Sequence, residues 1–419
     1  MSARTVVIGA GASGLIAAGT AASRGSDTVV AERNARPARK VMITGKGRCN
    51  LTNDLSDLNA ITANIPHGGK FLIPALSRFM PADTKKFFED LGVELVTERG
   101  NRVFPASQKA VDIVDALDRF ARRNGAKTVR GRCVAFEFGA DCSVTAAVLE
   151  TGERIEGDSF IICTGGLSYP ATGSTGDGYA LAVSAGHTIV PTRPSLVPLV
   201  TDDEAYFPLE GVSLKNVRLT LTDGHSKKPV FSEQGEMLFT ARGISGPIVL
   251  SASAHFGKFP PSGYTAHINL KPALDRDTLD RRVVRDIEKY AGRSVSNALR
   301  DLLIRALIPV VLDKAGINGD INTGEFTREQ RAALVSAVKD LPVRISDLGP
   351  YTEAVVTSGG VSLKEIDPRT MRSKLCPNLY FAGEVIDADA YTGGFNLQIA
   401  FSTGRLAGMS VPAELTTKG

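Results

Sequence analysis

Tryptophan is absent from the 419 residues, and aromatic side chains make up only 6% of them. A surface that stacks unpaired bases on rings is thus sparsely provided for. A dominant charge is missing too: 49 basic against 45 acidic side chains leave a net +4, and the Lys and Arg are scattered. No nucleic-acid partner is expected from such a surface. The five cysteines (Cys49, Cys133, Cys142, Cys163, Cys376) form no CxxC pair, which excludes a zinc ribbon or a thioredoxin-type dithiol. Reduced thiols in a cytoplasmic protein are the expectation. The five histidines (His67, His187, His225, His255, His267) show no HExxH spacing, so no metal is expected. The apolar stretch "TVVIGAGASGLIAAGTAA" is broken by glycines and followed by no cleavage signal, which argues against a signal peptide or a membrane span.

What is present points to a nucleotide. The length suits two or three domains. The β-branched run "TVVI" reads as a buried parallel strand, and "GAGASG" follows it with Gly9, Gly11 and Gly14 at G-x-G-x-x-G spacing. Gly9 permits a tight turn, Gly11 lets a pyrophosphate approach the backbone, and Gly14 lets the next helix pack on the sheet. That helix, "LIAAGTAASRG", leads to a second strand, "DTVVAER", ending at Glu32. A carboxylate there accepts from ribose hydroxyls and repels a 2′-phosphate. The pattern alone leaves FAD and NAD both open.

Two further glycine turns repeat this logic. An apolar strand over 160–163 runs into Thr164-Gly165-Gly166, and "GSTGDGYALAVSAGH" reads as a loop entering a helix with Asp177 as its N-cap. Near the C-terminus, "LYFAGE" reads as a strand delivering Gly383 and Glu384, with Asp387 just beyond. "TGGFN" then opens a helix of small residues, whose free N–H groups face whatever fills the turn. Between the anchors, "VMITGKGRCNLTN" (41–53) has too little apolar periodicity for a core element.

From about 192 the proline-rich "PTRPSLVPLVTDD" marks a domain exit. The runs "VRLTLTD", "KKPVFSEQGEMLFT" and "YTAHINLK" alternate with period two and predict antiparallel β structure, a small barrel or sandwich. "TLDRRVVRDIEKY", "VSNALRDLLIRALIPVVLDKA" and "TREQRAALVSAVKDL" predict helices, and the charge run Asp280–Arg285 reads as a solvated helix face. "FTARGISGPIVLSAS" either lines a substrate cleft, with Arg242 as a cation, or turns into a packing helix.

"VVIGAGASG", "GKGRCNLTN", "CTGGLSYPATGSTGDGYALA", "VTSGGVSLKEIDPRTMRSK" and "LYFAGEVIDADAYTGGFNLQIAFSTGRLAG" together strongly resemble the BaiN/YhiN-type bacterial flavoproteins, over nearly the whole chain. The resemblance implies an α/β fold: an FAD-binding, glutathione-reductase-like Rossmann domain (1–191 and 351–419). It further implies a barrel-like β insert (192–274 and 341–350) and a helical subdomain (275–340), the insert lying over the flavin as a lid. It implies non-covalent FAD with Gly9, Gly11, Ala12, Ser13 and Gly14 at the pyrophosphate, Glu32 and Arg33 at the adenosine ribose, and Val134 at the adenine. Arg39 and Lys40 match a basic pair, although Ala38 stands where the pattern has glycine. Gly45, Gly47, Arg48, Cys49 and Asn50 fall beside the flavin end, with Thr164, Gly165 and Gly166. Gly383, Glu384 and Asp387 fall near the ribityl chain, and Gly394, Phe395, Asn396 and Leu397 at the helix start beneath the ring.

The implied activity is hydride transfer between a small organic substrate and FAD, as an NAD(P)H-linked reductase or an amine-type oxidase. With a single GxGxxG, NAD(P)H would bind transiently rather than in its own domain. Arg48, Cys49 and Tyr391 are catalytic candidates, and Tyr169 and Arg242 further donors. The competing readings are an FAD-dependent RNA-modifying or RNA-binding protein and a flavin-binding protein without turnover.

Overall fold

The computed structural model describes residues 2–224, 228–257 and 263–414; His225 and the leading Lys227 of "KKPVFSEQ" lie outside them. The chain divides into two compact units, Met1–Ser195 with Tyr351–Gly419, and Leu196–Pro350.

The first unit is built on a five-stranded parallel sheet. Its order is Leu379–Phe381, Ser159–Ile162, Arg4–Ile8, Asp27–Glu32, Lys127–Arg130. Val7 on the central strand lies opposite Val30 on one side and Ile161 on the other. All four residues of Ser159–Ile162 are buried, as a strand covered on both faces requires. The chain leaves the central strand toward one edge and later returns to its other side. The strand order therefore reverses between Ile8 and Ile162, and a crevice opens beyond their carboxyl ends.

The helix Ala12–Ser23 is buried from Ala12 to Ala22 because its residues are small or aliphatic all round. The C-terminal helix Phe395–Ser410 crosses it backbone to backbone. A Cβ on Gly404 would lie 2.4 Å from the Ser13 carbonyl oxygen, and one on Gly408 2.4 Å from that of Ala17. A two-stranded antiparallel pair, Ile189–Ser195 with Val356–Val361, and two antiparallel three-stranded sheets complete the unit. One joins Thr52–Asn53, Arg102–Pro105 and Leu95–Glu98; the other joins Cys133–Phe138, Val144–Leu149 and Arg154–Glu156.

In the second unit the period-two pattern is realised directly. Leu214, Val217, Leu219 and Leu221 of Ser213–Thr222 are buried, and the strand pairs antiparallel with Phe231–Thr240 and Tyr264–Asn269. Seven strands run in the order Leu341–Ile345, Tyr264–Asn269, Ser213–Thr222, Phe231–Thr240, Gly243–Ser245, Leu199–Val200, Asp347–Leu348. Its two edge strands are separated in sequence by Ser346 alone, so the sheet must roll until its edges converge. Helices Arg276–Lys289, Leu307–Lys314 and Arg328–Lys339 bury Leu279, Val311 and Leu334 in the same core as Leu219 and Ile268. The stretch "VSNALRDLLIRALIPVVLDKA" is not one helix. It stops after Val295–Ala298 and a 3-10 turn at Leu299–Asp301, then restarts at Leu307. Pro309 has no N–H to continue a helix from upstream, but is tolerated in the first turn of a new one.

Candidate functional site

The crevice is shaped first by the glycine turn. Gly9 has φ +98°, and a Cβ there would meet the Cys163 carbonyl oxygen at 2.8 Å. Gly14 is tighter, with a Cβ only 1.9 Å from the Gly9 carbonyl oxygen. Gly11 differs from both. Its φ is −78°, and an added Cβ would meet only the Cys163 carbonyl oxygen, at 3.7 Å. Nothing inside the protein demands glycine there; a Cβ would instead protrude into the cleft that Gly11 lines. No side chain caps the helix that begins here, so its first-turn N–H groups face the cleft.

Glu32 stands at the end of its strand, buried, and accepts from the Ala10 N–H at 2.7 Å and, through its other oxygen, from Asn34 N and Nδ2 at 2.7 and 2.8 Å. These bonds orient the carboxylate along the cleft wall. Arg33 turns to Thr175 Oγ1 (2.7 Å) and Asp177 (3.2 Å), and Arg132 grips Asp177 at 2.7 and 2.9 Å. Asp177 is therefore not the N-cap. Gly176, at φ +84°, caps the helix Asp177–Ser184, and the Asp177 carboxylate serves the two arginines.

Ala38 has φ +51° and ψ +36°, the left-handed conformation that favours glycine. The chain thus keeps the turn that a glycine would make and bears its strain. Beyond it, Arg39 reaches Asn34 Oδ1 at 3.3 Å, and Lys40 donates to Ser168 Oγ at 2.5 Å and to Glu384 Oε2 at 2.6 Å. Part of 41–53 is helical after all: Arg39–Gly47 forms a helix broken at Thr44, with Gly45 and Lys46 left-handed at φ +57° and +59°. Within that helix only Val41 is buried, but the end of the stretch is not loop: Cys49 and Leu51 enter the core, and Thr52–Asn53 is a buried strand.

At the other anchors, Thr164 and Gly165 line the cleft beside Glu384, Asn396 and Leu397. The helix Phe395–Ser410 starts from Gly394 (φ +99°), again without a side-chain cap. The Asn396 side chain clamps its own loop, accepting from Ala390 N at 2.9 Å and donating to Ala390 O at 2.7 Å.

The cleft thus gathers Gly9, Gly11, Ala12, Ser13, Glu32, Arg33, Arg39, Lys40, Thr164, Gly165, Glu384, Asn396 and Leu397 from distant parts of the chain. Gly14, Gly383, Gly394 and Phe395 stand behind that wall as packing, and a Cβ on Gly166 would meet Thr357 Oγ1 at 2.5 Å. Gly45, Gly47, Asn50 and Asp387 are outside the lining. From the segment carrying Val134, the lining comes from Gly131, Arg132 and Cys133, while Val134 itself is exposed. Arg48 is engaged elsewhere, bonded to Glu98 and Gln108 and lying over the Phe104 ring at 4.1 Å. Cys49 is fully buried, and burial pushes its thiol up to about 12, which leaves it un-ionised at neutral pH. Tyr391 and Tyr169 do not line the cleft, and their backbone N–H groups bond Asn64 O and Tyr351 O. Arg242 is exposed in the second unit, between Phe231–Thr240 and Gly243–Ser245.

Several lining residues escape a linear reading, among them Asn34, Arg132, Val355, Val356 and Ala388. Only Asn34 carries a signal in sequence, standing two positions beyond Glu32. The arrangement fits a dinucleotide such as FAD. Two uncapped helix N-termini and the Gly11 cradle lie along it, and the buried Thr164 Oγ1 on its wall has no partner among the described residues. Among those residues no group of three His, Cys, Asp or Glu is placed to hold a metal, and no helix is long and apolar enough to cross a membrane.

Residues 3–410 match the family described as the HI0933-like protein Rossmann domain. The chain is 31% identical over 410 residues to the 3-dehydro-bile acid delta(4,6)-reductase of Clostridium scindens, covering 97% of this chain and 98% of that protein. It is also 31% identical to the ribosomal RNA dihydrouridine synthase of Escherichia coli, over 95% of each chain. The Haemophilus influenzae protein of the same name is 30% identical over 98% of each. Among solved structures, the fold is shared with a flavocytochrome c3 fumarate reductase (TM-score 0.50, 18% identity, 97% of this chain and 78% of that one). It is shared as well with a 3-ketosteroid delta1-dehydrogenase from Sterolibacterium denitrificans (TM-score 0.51, 11% identity, 96% and 98%).

Proposed function

The chain belongs to the HI0933-like Rossmann family, and from that premise we propose that it is an FAD-dependent oxidoreductase which saturates a carbon–carbon double bond conjugated with a carbonyl. The observation that carries the cofactor is the cleft at the sheet's switch point, where two uncapped helix N-termini, Glu32 and the Lys40–Glu384 pair converge. The reaction class comes from chemistry common to the relatives' names. A 3-dehydro bile acid unsaturated at positions 4 and 6 has its alkenes conjugated with the 3-oxo group. The double bond removed in making dihydrouridine is conjugated with a ring carbonyl.

When bound, FAD supplies a two-electron carrier that gives or takes a hydride. The protein's own part is placement. The Gly9–Gly14 turn would take the pyrophosphate against the helix N-terminus, and Glu32 the adenosine ribose, with Gly131 to Cys133 at the adenine end. Lys40, fixed by Glu384 and Ser168, would hold a positive charge at the far end, and the N-terminus of Phe395–Ser410 would add its dipole there.

The scarcity of aromatics and the scattered charge favour a small conjugated ketone as substrate. Two relatives named for ribosomal RNA favour a second reading, a uridine within RNA. To separate them, the purified protein is scanned for flavin absorbance and reduced anaerobically with NADH or NADPH. It is then mixed with a 3-oxo-4,6-diene steroid or with a ribosomal RNA transcript. Reoxidation by the steroid supports the first reading and reoxidation by the transcript the second. A protein that takes up no FAD on reconstitution refutes both.

A further inference from the structure

The cations of the cofactor cleft are largely spent: Lys40 on Glu384, Arg33 and Arg132 on Asp177. Arg193 is not. It sits half-buried on the strand Ile189–Ser195, where the pairing with Val356–Val361 shifts register between Val190 and Arg193. Such irregularities re-aim side chains. Among the described residues its guanidinium makes one hydrogen bond, Nη2 donating to His67 Nε2 at 3.3 Å, and no ion pair. Its Nε is buried without a partner. A guanidinium carries five N–H donors, and leaving a buried one unmet is costly.

The imidazole that receives Nη2 is itself held. His67 Nδ1 faces Asp389 Oδ1 at 2.9 Å across an isolated strand bridge, and Asp389 is fully buried, its other oxygen accepting from Ser195 Oγ at 2.9 Å. The buried carboxylate keeps the proton on Nδ1, so the Nε2 lone pair points to Arg193. Asp387 lies close enough to feel the charges of Arg193 and Asp389, and Ala388, between the two aspartates, lines the cofactor cleft. An Asp–His pair thus holds a guanidinium that has no ion-pair partner among the described residues, close to the segment that carries Ala388 into the cleft lining.

We propose that Arg193, positioned by His67 and Asp389, binds the carbonyl or carboxylate oxygen of the substrate. The role rests on the reading of the protein as a reductase of conjugated carbonyls. Reduced FAD, when bound, would supply a hydride to the β-carbon of such a substrate; an electron pair would then fall on the carbonyl oxygen, and a proton from water at the α-carbon would complete the reduction. A guanidinium fork facing that oxygen stabilises the charge as it forms. His67 touches Arg193 rather than substrate and acts as a positioning residue.

The test uses the FAD-loaded protein and sodium benzoate, a planar carboxylate, in carboxylate-free buffer, followed by calorimetry and by perturbation of the flavin spectrum. Saturable binding is expected. R193Q should weaken it at least tenfold, and R193K severalfold, since an ammonium lacks the fork. H67F should weaken binding although Arg193 is retained, and H67Q, which keeps an acceptor oxygen, should restore most of it. Benzoate binding that is absent from flavin-replete protein, or equal in wild type, R193Q and R193K, overturns the proposal. The flavin spectrum and its bleaching report on the reductase reading separately. Binding that depends on Arg193 in a protein without flavin would keep the anion site and remove its role in reduction.

Discussion

Replacing Gly11 by alanine separates what the glycine turn does for the fold from what it does for the ligand. The backbone there is at φ −78°, open to any residue, and the nearest atom to a new Cβ is 3.7 Å away. Gly11 is the N-cap of its helix, where glycine is preferred to alanine by roughly 0.5–1 kcal/mol, and the reduced freedom of the unfolded alanine chain offsets about as much. A methyl group pressed into a filled phosphate site costs about 1–3 kcal/mol, the range for overpacking, or roughly five- to 150-fold in affinity. The assay is fluorescence titration of deflavinated G11A with FAD, beside urea unfolding of the same preparation. Near-wild-type unfolding with weakened FAD binding is expected. G14A is the contrast: its Cβ would fall 1.9 Å from a carbonyl oxygen, so it should fail to accumulate as folded protein. Wild-type FAD affinity in G11A would refute the placement of the pyrophosphate, and an unfolded G11A the claim that the glycine serves only the ligand.

Three further outcomes are expected. A38G should raise the unfolding free energy of deflavinated protein by about 1 kcal/mol in urea titrations, because glycine occupies the left-handed region without the Cβ penalty; a loss of stability would contradict the assigned backbone. At pH 8 a thiol reagent should modify Cys142 rapidly, while Cys49, Cys133 and Cys163, each pushed up to about 12 by burial, react only on unfolding; a second fast thiol would count against that burial. Burial, with Asp389 adding to it against the pull of Arg193, raises the Asp387 carboxyl above its usual range, so wild type gains stability as pH falls through that raised value. D387N should therefore be the more stable protein at pH 8, with the gap closing toward pH 4; a gap that widens in acid would reverse the assignment.

The parts of the site that were legible in sequence are those where backbone geometry restricts residue type. Gly9 and Gly14 declare themselves because no side chain fits, and Glu32 because a strand of known length ends there. Even the missing glycine ahead of Arg39 and Lys40 was legible, since Ala38 holds the conformation the pattern demands. Pairings between distant segments were not. Lys40 meets Glu384, and Arg132 meets Asp177, through folding alone, so neither partner carries a local mark of the other. Asp177 was misread for the same reason: its place before a helix suggested a cap, while the arginines that claim it come from elsewhere in the chain. His67, Arg193 and Asp389 were invisible as a set, each looking like an ordinary polar residue. Arg48 and Cys49 stood in the most suggestive motif, yet one is spent on Glu98 and the other is sealed in the core.

The rolled sheet of the second unit has a bearing on how the gene can be edited. Leu199 pairs with Leu348 and Val200 with Asp347, and the Gly349 N–H reaches Pro198 O at 2.8 Å, so the inserted segment is zipped shut where it begins and ends. In the first unit, Ser195 is likewise paired with Val356. The flavin-site unit therefore meets its insertion as it would a hairpin turn, with two neighbouring chain ends to join and little closure entropy to meet. A cassette cut between Ser195 and Tyr351 is the natural exchange point for trading the inserted module for another while the nucleotide fold stays in frame.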